Sequence, residues 1–156
     1  MSNSNYPSQD TFVEVQFFKG SNYAKGVEWY MDHFPEGNAT HHVFEKSATY
    51  FDGEIVPARA HRLLPRANII AVIIPPGQRA YSWYHHMRAH ADPTSLKYTF
   101  KAVLMARPDS PRALLSLAGR CLEPGKYAQY LDRWLAQYMP RQVLIIDGEE
   151  VKYNPV

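Results

Sequence analysis

The stretch "GQRAYSWYHHMRAH" (residues 77–90) follows directly on the apolar run "IIAVII" (69–74) and two prolines. A helix beginning near Arg79 would offer unpaired N–H groups and the positive end of its dipole at its start. Arg79 and Ser82 would add a fixed charge and a hydroxyl donor, which suits a phosphate. The plain alternative is a helix start with an exposed arginine and a capping serine. Glu14 lies between two valines in "FVEVQFF". Burial there would raise its proton affinity and a basic neighbour would lower it, so Glu14 is either a poised base or one exposed position on a half-buried strand. In "FEKSATYF" (44–51), Glu45 and Lys46 are adjacent. On an extended chain they face opposite sides, so one can face a cleft without neutralising the other. His86 and His90 share a helix face at metal-compatible spacing. No HExxH pattern and no third ligand accompany them, so a metal is not expected. A histidine hydrogen-bonding toward the anion corner is the better use of that face. His41-His42 suggests nothing specific, and the single Cys121 reads as a small buried hydrophobe.

These residues need elements to hold them. The chain has 156 residues, 46% hydrophobic and 21% charged, which is the size and balance of about one globular domain. A net charge of +2 is too small to argue for nucleic acid. Eleven Tyr and three Trp mean a large aromatic core or a groove that stacks flat ligands. The longest apolar run falls far short of the roughly 20 residues of a membrane span. No charged-then-apolar leader follows Met1, and any part that directs the protein to a secretory compartment is expected to lie outside this sequence.

Residues 1–10 read as a loop and 11–18 as a strand or extended turn. A helix over 24–34 is closed by Pro35, and 36–42 is turn-rich. Residues 42–51 have strand composition. "GEIVPARAHRLLP" is a helix with Pro57 in its first turn. Residues 68–74 read as a strand covered on both faces. A helix over 79–90 follows, then helical "SLKYTFKAVLMA" and "SPRALLSLAGRC". "PGKYAQYLDRWLAQYMP" is amphipathic, and a last strand lies within 142–151. Strands alternating with helices predict a parallel α/β sheet with right-handed crossovers. Ligands then sit beyond the C-terminal strand ends. The corners at 14–16, 45–47 and 76–82 are expected to converge there.

Taken together, "VEVQFF", "NYAKGVEWYM", "FEKSATYFD", "RAYSWYHHMRAHADP", "RCLEPGKYAQYLDRWL" and "QVLIIDGEEV" resemble the sulfotransferase domain of the heparan sulfate N-deacetylase/N-sulfotransferases. The resemblance runs along nearly the whole chain, in the family's order. It implies a P-loop-kinase-like parallel-sheet sulfotransferase fold. The implied donor is 3′-phosphoadenosine 5′-phosphosulfate, with no metal. The implied acceptor is the glucosamine amine of heparan sulfate or heparosan, and the setting is the lumenal side of the Golgi membrane. No nucleic-acid partner and no membrane contact from this segment are implied. By resemblance Ser82 holds the donor's 3′-phosphate beside Arg79, Glu14 is the general base, and Lys46 and His86 stand at the transferring group. Gln16 and Trp83 lie near the sugar chain.

The sequence also departs from the family. It contains no Lys-Thr-Gly-Thr-Thr-like phosphosulfate loop and no C-terminal disulfide with a basic loop. Ile74 stands where many related sulfotransferases carry an arginine, and "PPGQ" replaces an expected Asn-Pro-Ala-Asp. The expectation is therefore an incomplete fold: residues 1–156 as the central portion of one sulfotransferase domain, inactive and marginally stable alone. The rival readings are a non-catalytic heparan-sulfate-binding module and a related heparan sulfate O-sulfotransferase.

Overall fold

The computed structural model describes residues 14–34 and 43–153. Residues 11–13, 35–42 and 154–156, which carry parts of the expected first strand and loop, lie outside the described residues.

A 3₁₀ turn at Gly20–Lys25 leads into α1 (Gly26–Met31). Then come α2 (Val56–Leu63), β1 (Ile69–Ile73) and α3 (Pro76–Ala89). The short α4 (Pro93–Lys97) and α5 (Phe100–Leu104) precede α6 (Arg112–Leu122) and α7 (Tyr127–Leu135). The described chain closes with β2 (Val143–Asp147) and α8 (Gly148–Tyr153). The fold is α/β, as the alternation predicts. Among the described residues the sheet is small: β1 and β2 pair in parallel, from Ile69 opposite Val143 to Ile73 opposite Asp147.

Local chemistry explains the helix ends. Asp92 accepts a hydrogen bond from the Ser95 N–H (2.8 Å) and starts α4. Thr99 accepts from the Ala102 N–H (3.2 Å) and starts α5, so the expected single helix breaks at Tyr98-Thr99. Pro76 occupies the first turn of α3, where its missing N–H costs nothing. The helix thus begins three residues before the expected Arg79, and Ser82 stands nearly two turns inside it rather than at its start.

Two other expectations are corrected. Residues 43–51 form no strand, and 14–18, expected as a strand or extended turn, take no part in a ladder, because no described backbone pairs with either segment. Side chains hold them instead: Ser47 Oγ accepts from the Gln16 N–H (3.2 Å) and Tyr50 Oη from the Phe18 N–H (3.1 Å). Nor is β1 covered on both faces. Ala71 is buried while Ile70 and Val72 are exposed, because no described element packs over their side of the sheet.

The core has two parts. One packs Ala80, Tyr84 and Met87 of α3 against Val103 and against Leu114, Leu117 and Cys121 of α6. The other packs Phe17, Phe18 and Tyr30 against Val56 and Ala60 of α2 and against Trp134 and Tyr138. Phe17 and Tyr30 stack at 4.5 Å, so part of the aromatic content is core. No helix among the described residues is long and apolar enough to cross a membrane.

Candidate functional site

The first group of candidate residues rests on the aromatic core. Phe17 and Phe18 bury themselves beside Tyr30 and leave Glu14, Val15 and Gln16 crossing the 45–49 corner. Gln16 has φ +52, a left-handed conformation uncommon for a non-glycine residue. Three bonds hold it there. Its backbone N–H donates to Ser47 Oγ, its Nε2 donates to Glu14 Oε2 (2.5 Å), and Thr49 Oγ1 donates to its Oε1 (2.5 Å). Strained backbone kept in place by several partners is common where a side chain must be aimed.

Lys46 Nζ donates to Glu14 Oε1, forming an ion pair. The Lys46 side chain is 72% exposed and that of Glu14 28%. The Lys46 ammonium holds the Glu14 carboxyl below its ordinary range, and partial burial opposes this less strongly. Glu14 is therefore an ionised acceptor paired with a largely solvent-exposed ammonium. Glu45, next to Lys46 in the chain, makes a separate set of bonds. It accepts from Tyr30 (2.8 Å), Tyr50 (2.6 Å) and Ser47 (2.9 Å). Burial, then the Glu45 bond, pushes the Tyr50 hydroxyl up to about 12 and raises Tyr30 as well. These groups stay protonated and tie Glu45 to the aromatic core. Sequence reasoning gave Glu45 no such role, although its strict alternation with Lys46 was the signal.

The second group lies along α3. Arg79, Trp83, His86 and His90 form one row. Arg79 lies 5.8 Å from the Trp83 ring, which stacks on His86 at 4.9 Å, and His86 meets His90 at 4.1 Å. Arg79 also donates to the Cys121 carbonyl (2.9 Å), which fixes it against the end of α6. On the adjoining side of α3, exposed Ser82 and Gln78 face the end of the sheet. They line a cleft of about 370 Å³ with Ile74, Gly148, Glu149, Lys152 and Tyr153. Arg79 is absent from that lining, and Lys152 is its cation. Nothing in the sequence reading pointed to Lys152, because residues 142–151 read as a strand and its end.

The three corners thus form two groups. Glu14, Gln16 and Lys46 meet. Among the described residues no hydrogen bond, ion pair or ring contact joins them directly to Ser82, Trp83 or His86. The link runs through α7. Trp134 Nε1 donates to the Phe51 carbonyl (3.1 Å), and Phe51 meets the Tyr127 ring at 6.2 Å. The Tyr127 hydroxyl donates to the Ile74 carbonyl (2.9 Å) at the lip of the Ser82 cleft. Among the described residues no cluster of three or more His, Cys, Asp and Glu is set to hold a metal ion.

The arrangement offers an ionised carboxylate paired with an exposed lysine, and a cleft carrying a hydroxyl and an ammonium. A model of the sulfotransferase domain matches residues 2–156. The bifunctional heparan sulfate N-deacetylase/N-sulfotransferase 2 of Bos taurus is 55% identical over 154 residues, which is 97% of this chain and 17% of that protein. The bifunctional heparan sulfate N-deacetylase/N-sulfotransferase of Drosophila melanogaster is 50% identical over 166 residues, 98% of this chain and 16% of that protein. The human N-deacetylase/N-sulfotransferase 1 is 50% identical over 154 residues, with 97% and 18% covered. The chain spans about a sixth of the length of the curated relatives it matches.

Proposed function

The chain belongs to the sulfotransferase domain family, and from that premise we propose that it carries heparan sulfate glucosamine N-sulfotransferase chemistry. The donor is 3′-phosphoadenosine 5′-phosphosulfate and the acceptor is a free glucosamine amine in heparosan or heparan sulfate. The sulfur–oxygen bond to the 5′-phosphate breaks, a sulfur–nitrogen bond forms, and a proton leaves the nitrogen. On this reading the reaction proceeds on the lumenal side of the Golgi membrane. The relatives' printed names support the acceptor and the chemistry.

The observation that carries the reading is the Glu14–Lys46 pair. A glucosamine at neutral pH arrives as an ammonium with no lone pair to attack with. Glu14, kept ionised by Lys46, receives that ammonium in exchange for the lysine and takes the proton whose loss frees the lone pair; the second proton leaves the nitrogen for water once the sulfur–nitrogen bond has formed. The freed Lys46 turns to the sulfonate oxygens, where charge gathers in the transition state. Gln16 braces the Glu14 carboxylate from its second oxygen throughout. Trp83, in the separate row along α3, offers an aromatic face for the sugar, and His86 stacks on it.

No phosphosulfate-loop motif occurs in the 156 residues, so the test reads binding rather than turnover. The chain is titrated with N-unsubstituted and with N-acetylated heparosan oligosaccharides in the presence of adenosine 3′,5′-bisphosphate. Preference for the free amine, abolished by Glu14→Gln, supports the reading. Equal binding of both sugars would favour an O-sulfotransferase. Sugar binding without any nucleotide binding would leave a carbohydrate-binding module.

A further inference from the structure

We propose that Lys152 binds the donor nucleotide, gripping its 3′-phosphate across the cleft from Ser82. This inference rests on the functional reading above and adds to it a residue and a face of the fold.

The cleft exists because of Gly148. A Cβ there would lie 2.6 Å from Ile74 Cγ2, 3.1 Å from the Ile73 carbonyl and 3.2 Å from Val72 Cγ1. Only glycine lets the first residue of α8 press against the end of β1. That contact turns α8 so that Lys152 and Tyr153 line the space that Gln78 and Ser82 line from α3. The Gln78 Nε2 donates to Glu149 Oε1 (2.7 Å) and pins the two helices together along one wall.

The lining chemistry selects the ligand. A phosphate monoester carries about −1.5 to −2 charge at neutral pH and needs a cation and hydroxyl donors. Lys152 and Ser82 supply both. Arg79, the cation expected from the sequence, is held on the Cys121 carbonyl instead. Glu149 adds a carboxylate to the same cleft, which penalises a bare anion. A nucleoside phosphate brings sugar hydroxyl and base amine donors that satisfy it. The Tyr153 ring, 68% exposed and 5.0 Å from Lys152, gives the base a flat surface. A cation, a hydroxyl, a carboxylate and an exposed aromatic ring in one cleft fit a 3′-phosphorylated nucleoside better than inorganic sulfate or phosphate.

The test is calorimetric titration of the chain with adenosine 3′,5′-bisphosphate and with adenosine 5′-phosphate, which lacks the 3′ group. Lys152→Met is expected to weaken the bisphosphate at least about tenfold, the worth of one charge-assisted contact. Adenosine 5′-phosphate binding stays within about twofold, and Lys152→Arg restores most of the bisphosphate affinity. Ser82→Ala shows the same selective loss. Lys152 is exposed, so an unchanged melting temperature separates lost binding from lost folding. Bisphosphate binding unaffected by Lys152→Met, or an equal loss for both nucleotides, overturns the inference while leaving the functional reading intact. If the unaltered chain binds no bisphosphate, both fall together.

Discussion

Replacing Lys46 by Met separates two views of that lysine. If Lys46 only attracts a polyanion, its loss weakens every heparosan oligosaccharide and changes no preference among them. If it occupies the place of the acceptor ammonium on Glu14, its loss removes a competitor. The pair is exposed on the lysine side, so it is worth about 0.2–1 kcal/mol, the range of solvent-screened ion pairs. An acceptor ammonium making a charge-assisted bond to Glu14 gains about 1.5–3 kcal/mol. Subtracting the displaced pair leaves about 0.5–2.8 kcal/mol, a preference for the free amine of roughly 2- to 100-fold. Lys46→Met returns the subtracted part. The ratio of N-unsubstituted to N-acetylated affinity is expected to rise roughly 1.4- to 5-fold, while both absolute affinities fall with the lost positive charge. Competition titrations with a fluorescent oligosaccharide at neutral pH read this ratio directly. Raising the salt concentration shrinks the gain, because the screened pair competes less. A ratio that stays the same or falls in Lys46→Met refutes the exchange.

Two further outcomes follow from the structure. Gly148→Ala places a methyl group 2.6 Å from Ile74 Cγ2 and close to the Ile73 carbonyl. Overpacking of this kind costs about 1–3 kcal/mol, or roughly 2–12 °C of melting temperature for a chain of this size, readable by scanning calorimetry. Asp92 accepts from both guanidinium nitrogens of Arg120 (2.6 and 3.2 Å), and this holds its carboxyl down at about 2 against an ordinary 3.8. A depressed carboxyl stabilises the fold above its unfolded value, and that stability is lost as pH falls from about 4 to about 2. Arg120→Leu should flatten this part of an acid-unfolding curve, and an unchanged curve would count against the pair.

The sequence carried α2, β1, α6, α7 and β2 plainly, because each has a strong apolar period bounded by proline, glycine or a polar corner. It carried the start of α3 badly. Pro75, Pro76 and Gly77 look like a breaker, yet a proline in the first turn begins a helix as well as it ends a strand. Ser82 accordingly sits inside the helix, and the proposed phosphate subsite is argued from side chains across a cleft rather than from a helix terminus. Residues 14–18 and 43–51 have strand composition, but composition does not supply a pairing partner. Tyr50 and Ser47 take the bonds that a ladder would have made. The meeting of Glu14 with Lys46 was not legible from spacing, since 32 positions separate them. It was expected from polar corners converging at strand ends, and the structure brings these two corners together while leaving Ser82 in the other group. Lys152 had no signal at all. Its place depends on Gly148 letting α8 close on β1, a tertiary fact with no local period.

The most direct test is a structure of the chain with adenosine 3′,5′-bisphosphate and an N-unsubstituted heparosan oligosaccharide bound together. The glucosamine nitrogen should lie within hydrogen-bond distance of the Glu14 carboxylate, about 3 Å, with Lys46 swung off it. An amine bound elsewhere, with Lys46 still seated on Glu14, would contradict the assignment of that carboxylate as the acceptor's base.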